Sequence, residues 1–155
     1  MILVTVGTQA SFDRFIRIID KVAAEIGEEV VVQAFKDSYE PKNVKIVDFL
    51  PPDEFNKLFH QARLIVSHAG MGTIISAMQQ EKPIIVFPRI AALGEHRNEH
   101  QMATAKQMAK MKYVYVAFDE KQLRELMLAP NLKPLHKLDI GVSKALINSL
   151  NEFIG

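Results

Sequence analysis

Apolar residues in this chain fall into two alternating kinds of stretch. Short, mostly apolar runs at Ile2–Val6, Val30–Val32, Val44–Phe49, Leu64–Ser67, Pro83–Pro88 and Tyr113–Ala117 read as strands. Between them, apolar residues recur at helical spacing. Phe12, Phe15, Ile16, Ile19, Val22, Ala23 and Ile26 mark one helix, with Gly27 as its stop. Phe55, Leu58, Phe59 and Ala62 mark a short helix starting near Pro52-Asp53, and another follows Ser67 to about Gln80. Met102, Ala105, Met108 and Ala109 share one face of a helix beginning near Asn98. Asp119 caps a helix carrying Leu123, Leu126 and Met127, with Gln122 at the capping-box position. Residues Asn131 to Asp139 read as a loop before a last helix with Val142, Leu146, Ile147, Leu150, Phe153 and Ile154.

Strands that are apolar on both faces and alternate with helices predict a parallel sheet covered on both sides. The expected architecture is a single Rossmann-like three-layer α/β domain over residues 1–155, with a mainly parallel sheet of about six strands. No internal repeat, low-complexity run or interior linker interrupts it.

Composition narrows the function classes. Hydrophobic residues make up 48% of 155 residues, enough for a real core. Nineteen basic and eighteen acidic residues nearly cancel, which argues against a nucleic-acid binder driven by phosphate electrostatics. Cysteine is absent, so disulfide and thiolate chemistry are excluded. The run Met1–Val6 stops at Gly7 without a basic leader and reads as a first strand rather than a targeting or membrane segment. The expected location is cytoplasmic, with any membrane contact made through a partner.

The chemistry concentrates where strands end. In a doubly wound sheet, ligands sit beyond the C-terminal strand ends. Three polar segments fall on that edge: Gly7-Thr8-Gln9, Ser67 to Thr73, and Arg89 to Gln101. The second, Ser67-His68-Ala69-Gly70-Met71-Gly72-Thr73, reads as strand, tight turn and helix start. Exposed backbone N–H groups and the helix dipole favour an anion there, and the glycines let it approach the backbone. His68 would point at that anion. Thr73 caps the helix or faces the anion, and a capping hydroxyl can do both.

The third segment holds Gly94-Glu95-His96-Arg97-Asn98-Glu99-His100-Gln101. His96 and His100 would share a helix face, but the order His96-Arg97-Asn98-Glu99-His100 misplaces the Glu of a zinc protease. A polar loop closing on a hydroxyl-rich, phosphorylated ligand fits better, with no metal. The dinucleotide Gly-x-Gly-x-x-Gly, the P-loop, the Gly-x-Ser-x-Gly elbow and Asp-x-Asp are all missing.

These motifs resemble the donor-binding half of GT-B glycosyltransferases. His68-x-Gly70-x-x-Thr73-x-x-Ser76, then Pro83 and Pro88, then His100-Gln101, look like the glycosyltransferase family 28 C-terminal domain. Val4-Thr5-Val6-Gly7-Thr8, Phe12-Asp13-Arg14 and the Gly94–Gln101 segment resemble its small stand-alone members. Those are subunits of two-component exopolysaccharide and dolichol-pathway transferases. The resemblance implies that Gly7 and Thr8 lie beside the diphosphate, and that His68, Gly70 and Thr73 contact it. It implies that Gln101 reaches the sugar hydroxyls, with His100 beside it where some relatives carry an acid. Ser76 stands where many relatives hold the ribose with a carboxylate, and a serine cannot accept two hydrogen bonds as a carboxylate does. Gly72 replaces a polar residue, which leaves phosphate contact to backbone N–H groups.

The expected function is therefore the catalytic, UDP-sugar-binding subunit of a two-component glycosyltransferase. It would move a hexose-type sugar to a lipid-linked acceptor without a metal cofactor. Its partner would be a separate, membrane-anchored acceptor-binding subunit. Glu95, His96 and His100 are candidates for the catalytic base, unless the partner supplies it. Two other readings stand beside this one: a relative of the UDP-sugar 2-epimerases, and a non-catalytic nucleotide-sugar-binding accessory subunit. An apolar partner surface at the last helix, near Phe153 and Ile154, would allow the isolated chain to form a homodimer.

Overall fold

The computed structural model describes residues 1–7, 12–34, 40–90, 93, 100–112, 114–130 and 132–135. Thr8, Glu95, His96, the expected start near Asn98 and the expected last helix lie outside the described residues.

The elements follow the expected alternation. They are β1 (Ile2–Thr5), α1 (Asp13–Ala23), β2 (Val30–Gln33), β3 (Lys45–Val47), α2 (Pro52–Gln61), β4 (Leu64–His68), α3 (Met71–Gln79), β5 (Ile84–Phe87), α4 (His100–Met111), β6 (Tyr115–Val116) and α5 (Glu120–Leu128). The six strands form one sheet in the order β3-β2-β1-β4-β5-β6. Every pairing is parallel. The sheet is thus wholly parallel.

Alternate residues of the central strands feed two cores. Ile2, Val4, Val32, Leu64, Val66, Ile85 and Phe87 pack with Phe15, Ile16 and Ile19 of α1 and Leu123 and Met127 of α5. Leu3, Val31, Ile65, Ile84 and Val86 pack with Phe59 of α2, Ile74 and Met78 of α3, and Ala105 and Met108 of α4. The period-two side-chain alternation of a strand therefore serves both layers, which is why these strands read as unbroken apolar runs.

Several boundaries depart from the sequence expectation, each for a local reason. α1 stops at Ala23, and the apolar rhythm continues to Ile26 through tighter turns. There Glu25 N–H donates to the Val22 carbonyl (2.9 Å) and Ile26 N–H to that of Ala23 (3.1 Å). β3 is shorter than Val44–Phe49, and the Leu50 N–H turns to the Gln33 side-chain oxygen (3.0 Å). β5 excludes Pro83 and Pro88, which have no N–H to give a ladder. At α5 the Asp119 side chain accepts from Gln122 N–H (2.8 Å), while Gln122 Oε1 accepts from Phe118 N–H (2.8 Å). That is a reciprocal cap, displaced by one residue from the usual box.

Candidate functional site

The strand order places the topological switch between β1 and β4. The chain leaves β1 toward β2 on one side, while β4 and β5 extend on the other. In such sheets the crevice lies outside the carboxyl ends of the strands at this point. β1 and β4 are in register with Thr5 opposite Ser67. Gly7 therefore follows one strand end, and His68, Ala69 and Gly70 form the other.

A buried hydroxyl pair joins these ends. Thr5 Oγ1 donates to Ser67 Oγ (3.0 Å), and Ser67 Oγ donates to the His68 carbonyl (2.8 Å). Both residues are buried. This pair was not among the residues expected at the site. Its signal is one hydroxyl at the same height in each of two apolar strands.

The turn after β4 is tight. Gly70 N–H donates to the His68 carbonyl (2.8 Å), and α3 begins at Met71 with Gly70 as its N-cap. Thr73 is therefore the third residue of the helix, and its capping role is corrected to Gly70. The extended backbone of Gly70 (φ −90°, ψ 133°) supplies the cap geometry, and glycine brings no capping side chain of its own. Ile74 N–H closes the first helical bond to the Gly70 carbonyl (3.3 Å). The N–H groups of Met71, Gly72 and Thr73 precede that bond and gather the positive end of the helix dipole.

The His68 imidazole lies against both glycines. A Cβ on Gly7 would stand 2.9 Å from His68 Cε1, and one on Gly70 only 2.5 Å from both Cε1 and Nε2. A side chain at either position would have to displace the imidazole. At Gly72 a Cβ would meet nothing within 4 Å, so its bareness leaves the helix start open.

On its other side the ring meets Gln101, in the first described turn of α4. Gln101 Nε2 lies 3.0 Å from His68 Nδ1, and Gln101 Oε1 accepts from the Arg89 N–H (3.1 Å). β4, β5 and α4 are thereby tied at one point. His100 is exposed beside Gln101, and its carbonyl accepts from Thr104 Oγ1 (2.8 Å). Ser76 is half-buried one turn further along α3.

Two cations stand near this edge. The Arg89 side chain is buried with its guanidinium 4.7 Å from the Phe12 ring centroid. The Arg14 guanidinium lies 4.6 Å from that of Phe87 and donates to the Pro88 carbonyl (3.4 Å). Beneath them Phe87 stacks against both Phe12 and Phe15, which are themselves tilted to each other. Such cation–π contacts hold positive charge at low desolvation cost. Of the residues expected at the site, the structure brings together Gly7, His68, Gly70 and Gln101. Gly72 and Thr73 lie on the adjoining helix start.

Residues 1–139 match the model of the glycosyltransferase family 28 C-terminal domain. The chain belongs to that family. Among curated proteins it is similar to the UDP-N-acetylglucosamine transferase subunit ALG13 of Candida albicans. The two are 31% identical over 90 residues, which is 57% of this chain and 28% of that protein. It is also similar to UDP-glucuronosyltransferase 3A1 of Bos taurus, 30% identical over 141 residues, 85% of this chain and 25% of that protein. The chain thus spans between a quarter and a third of these two relatives. The NMR solution structure of ALG13 superimposes with a TM-score of 0.63 at 18% identity, over 99% of this chain and 96% of that one. The glycosyltransferase of kitacinnamycin superimposes at 0.60 and 22% identity, over 99% of this chain and 40% of that one. At those identities the superpositions speak for the fold: a Rossmann-like α/β domain of the kind found in GT-B glycosyltransferases.

Proposed function

We propose that this chain is the UDP-sugar-binding, catalytic subunit of a two-component glycosyltransferase, moving a hexose-type sugar to a lipid-linked acceptor. The observation that carries it is the imidazole of His68 packed on Gly7 and Gly70 beside the open start of α3, at the switch point of the sheet. That arrangement suits a diphosphate. The α3 N–H groups and the His68 ring face the negative charge that grows on the departing nucleoside diphosphate, without a metal. Both named relatives act with UDP-activated sugars of different kinds, so UDP is the shared part. One of them is by name a subunit.

In this reading the acceptor site comes from a separate, membrane-anchored protein that brings the chain to the cytoplasmic membrane face. No helix among the described residues is long and apolar enough to cross a membrane. The base that takes the acceptor's proton is His100, Glu95 or His96, or a group of the partner subunit. In this reading Thr8 contacts the diphosphate, and the ribose is held by Ser76 or by another residue.

Two measurements test this. With EDTA present, UDP at a hundred times its dissociation constant should stabilise the chain by roughly 2.7 kcal/mol. No shift at millimolar UDP, or a strict metal requirement, refutes the nucleotide site. Transfer of radiolabelled sugar to a lipid-linked acceptor should need both subunits. Robust transfer by this chain alone refutes the two-subunit reading.

A further inference from the structure

We propose that Gln101 is a positioning residue that sets the tautomer of His68, keeping the proton of the neutral imidazole on Nε2. This deepens the nucleotide reading of the same site, although the tautomer can be measured without any ligand.

The argument runs through three groups in series. The Arg89 backbone N–H can only donate, so the Gln101 atom it meets at 3.1 Å is the carbonyl oxygen Oε1. That fixes the orientation of the amide. Its other end, the Nε2 amino group, can only donate and lies 3.0 Å from His68 Nδ1. Nδ1 must therefore accept, and carries no proton. In a neutral imidazole the proton then sits on Nε2, because the bond made by one ring nitrogen decides the state of the other.

Nε2 and Cε1 form the edge of the ring nearest Gly70, each 2.5 Å from where its Cβ would stand. In the nucleotide reading, an N–H at that edge is the donor that His68 offers to the diphosphate. The opposite tautomer would present a lone pair to that anion and repel it. Gln101 thus acts on the ligand through His68. Its amide oxygen and amino group each keep one further hydrogen-bonding capacity, so a contact to sugar hydroxyls is compatible with this role.

Proton–nitrogen NMR of the ligand-free protein tests the proposal, with the His68 signals identified by their loss in His68→Ala. The wild type should show Nε2 protonated and Nδ1 bare at neutral pH. In Gln101→Glu the carboxylate can only accept, so the proton should appear on Nδ1. In Gln101→Ala the two tautomers should mix, and UDP affinity should fall about three- to tenfold, the equivalent of one oriented hydrogen bond. A wild-type ring protonated on Nδ1, or an unchanged His68 spectrum in folded Gln101→Glu, overturns the proposal. If Gln101→Glu fails to fold, Gln101→Ala decides: a tautomer ratio equal to that of the wild type overturns the proposal. The expected spectra in a chain that does not bind UDP would uphold this role for Gln101 and refute the nucleotide site.

Discussion

Replacing Gly70 by alanine adds one methyl group at the tightest point of the site. Its carbon would stand 2.5 Å from His68 Cε1 and Nε2. Non-bonded carbons settle at about 3.5–4.0 Å, so the ring must retreat by about 1 Å. The ring also lies against Gly7 and is held at Nδ1 by Gln101, so this retreat breaks the 3.0 Å hydrogen bond. The lost bond costs about 0.5–1.5 kcal/mol, and an off-rotamer imidazole costs about as much again. A stiffer unfolded chain returns about 0.4–1 kcal/mol, but alanine is a poorer N-cap than glycine. The expected net loss is about 1–3 kcal/mol.

Urea unfolding with linear extrapolation reads that loss directly. Gly72→Ala is the control, two residues along the same segment. Nothing lies within 4 Å of its added Cβ, and it should be neutral or stabilising by up to about 1 kcal/mol. In a His68→Ala background the penalty of Gly70→Ala should largely vanish, because the obstructing ring is gone. Equal stability of Gly70→Ala and Gly72→Ala would refute the packing argument. So would a Gly70→Ala penalty that persists without the imidazole.

Ser67→Ala should cost about 1–3 kcal/mol by thermal or urea unfolding, because the buried Thr5 hydroxyl loses its acceptor. Adding Thr5→Val should recover part of that loss, and a neutral Ser67→Ala would contradict this account. Glu28 accepts from the Arg63 guanidinium (2.6 Å) and pairs with the N-terminal ammonium (3.0 Å). The Arg63 hydrogen bond, with help from the ammonium, holds the Glu28 carboxyl below the ordinary value of 4.5. A lowered carboxyl stabilises the fold above its unfolded pKa and loses that contribution as pH falls through the folded one. The stability gap between wild type and Glu28→Gln should therefore be full near pH 6 and shrink below about pH 4.5, as followed by urea midpoints. A gap that does not change with pH would refute it.

The strands were legible because each is buried on both faces, so their apolar runs needed no partner to be seen. Their order was not written in any single segment, although the polar residues at three strand ends already converged on one edge. The strand, turn and helix start from Ser67 to Thr73 were legible, but the cap falls on Gly70 rather than Thr73. Thr73 is the better capping residue by type, whereas the tight turn at His68 starts the helix at Met71, three residues after β4 ends. The packing of His68 between glycines escaped prediction, because it depends on the register of β1 against β4. Asp20 was hidden for a similar reason. It sits on the apolar side of α1, where its carboxylate accepts from Lys42 N–H (3.0 Å) and Asn43 N–H (2.7 Å) at the approach to β3. Only the fold brings that backbone to it.

Strands β1 and β4 meet across 62 residues of sequence, a wider separation than in any other strand pair of the sheet. Closing such a loop is entropically costly and is rewarded only when the strands pair. A unit of β4, α3 and β5 alone would own the open helix start and the imidazole yet lack Gly7, the opposite wall. A chain emerging from the ribosome holds β1 early and has no crevice until β4 arrives to pair with it. For the nucleotide site proposed above, recognition is thus a late product of folding, and UDP affinity would double as a report that the centre of the sheet has closed.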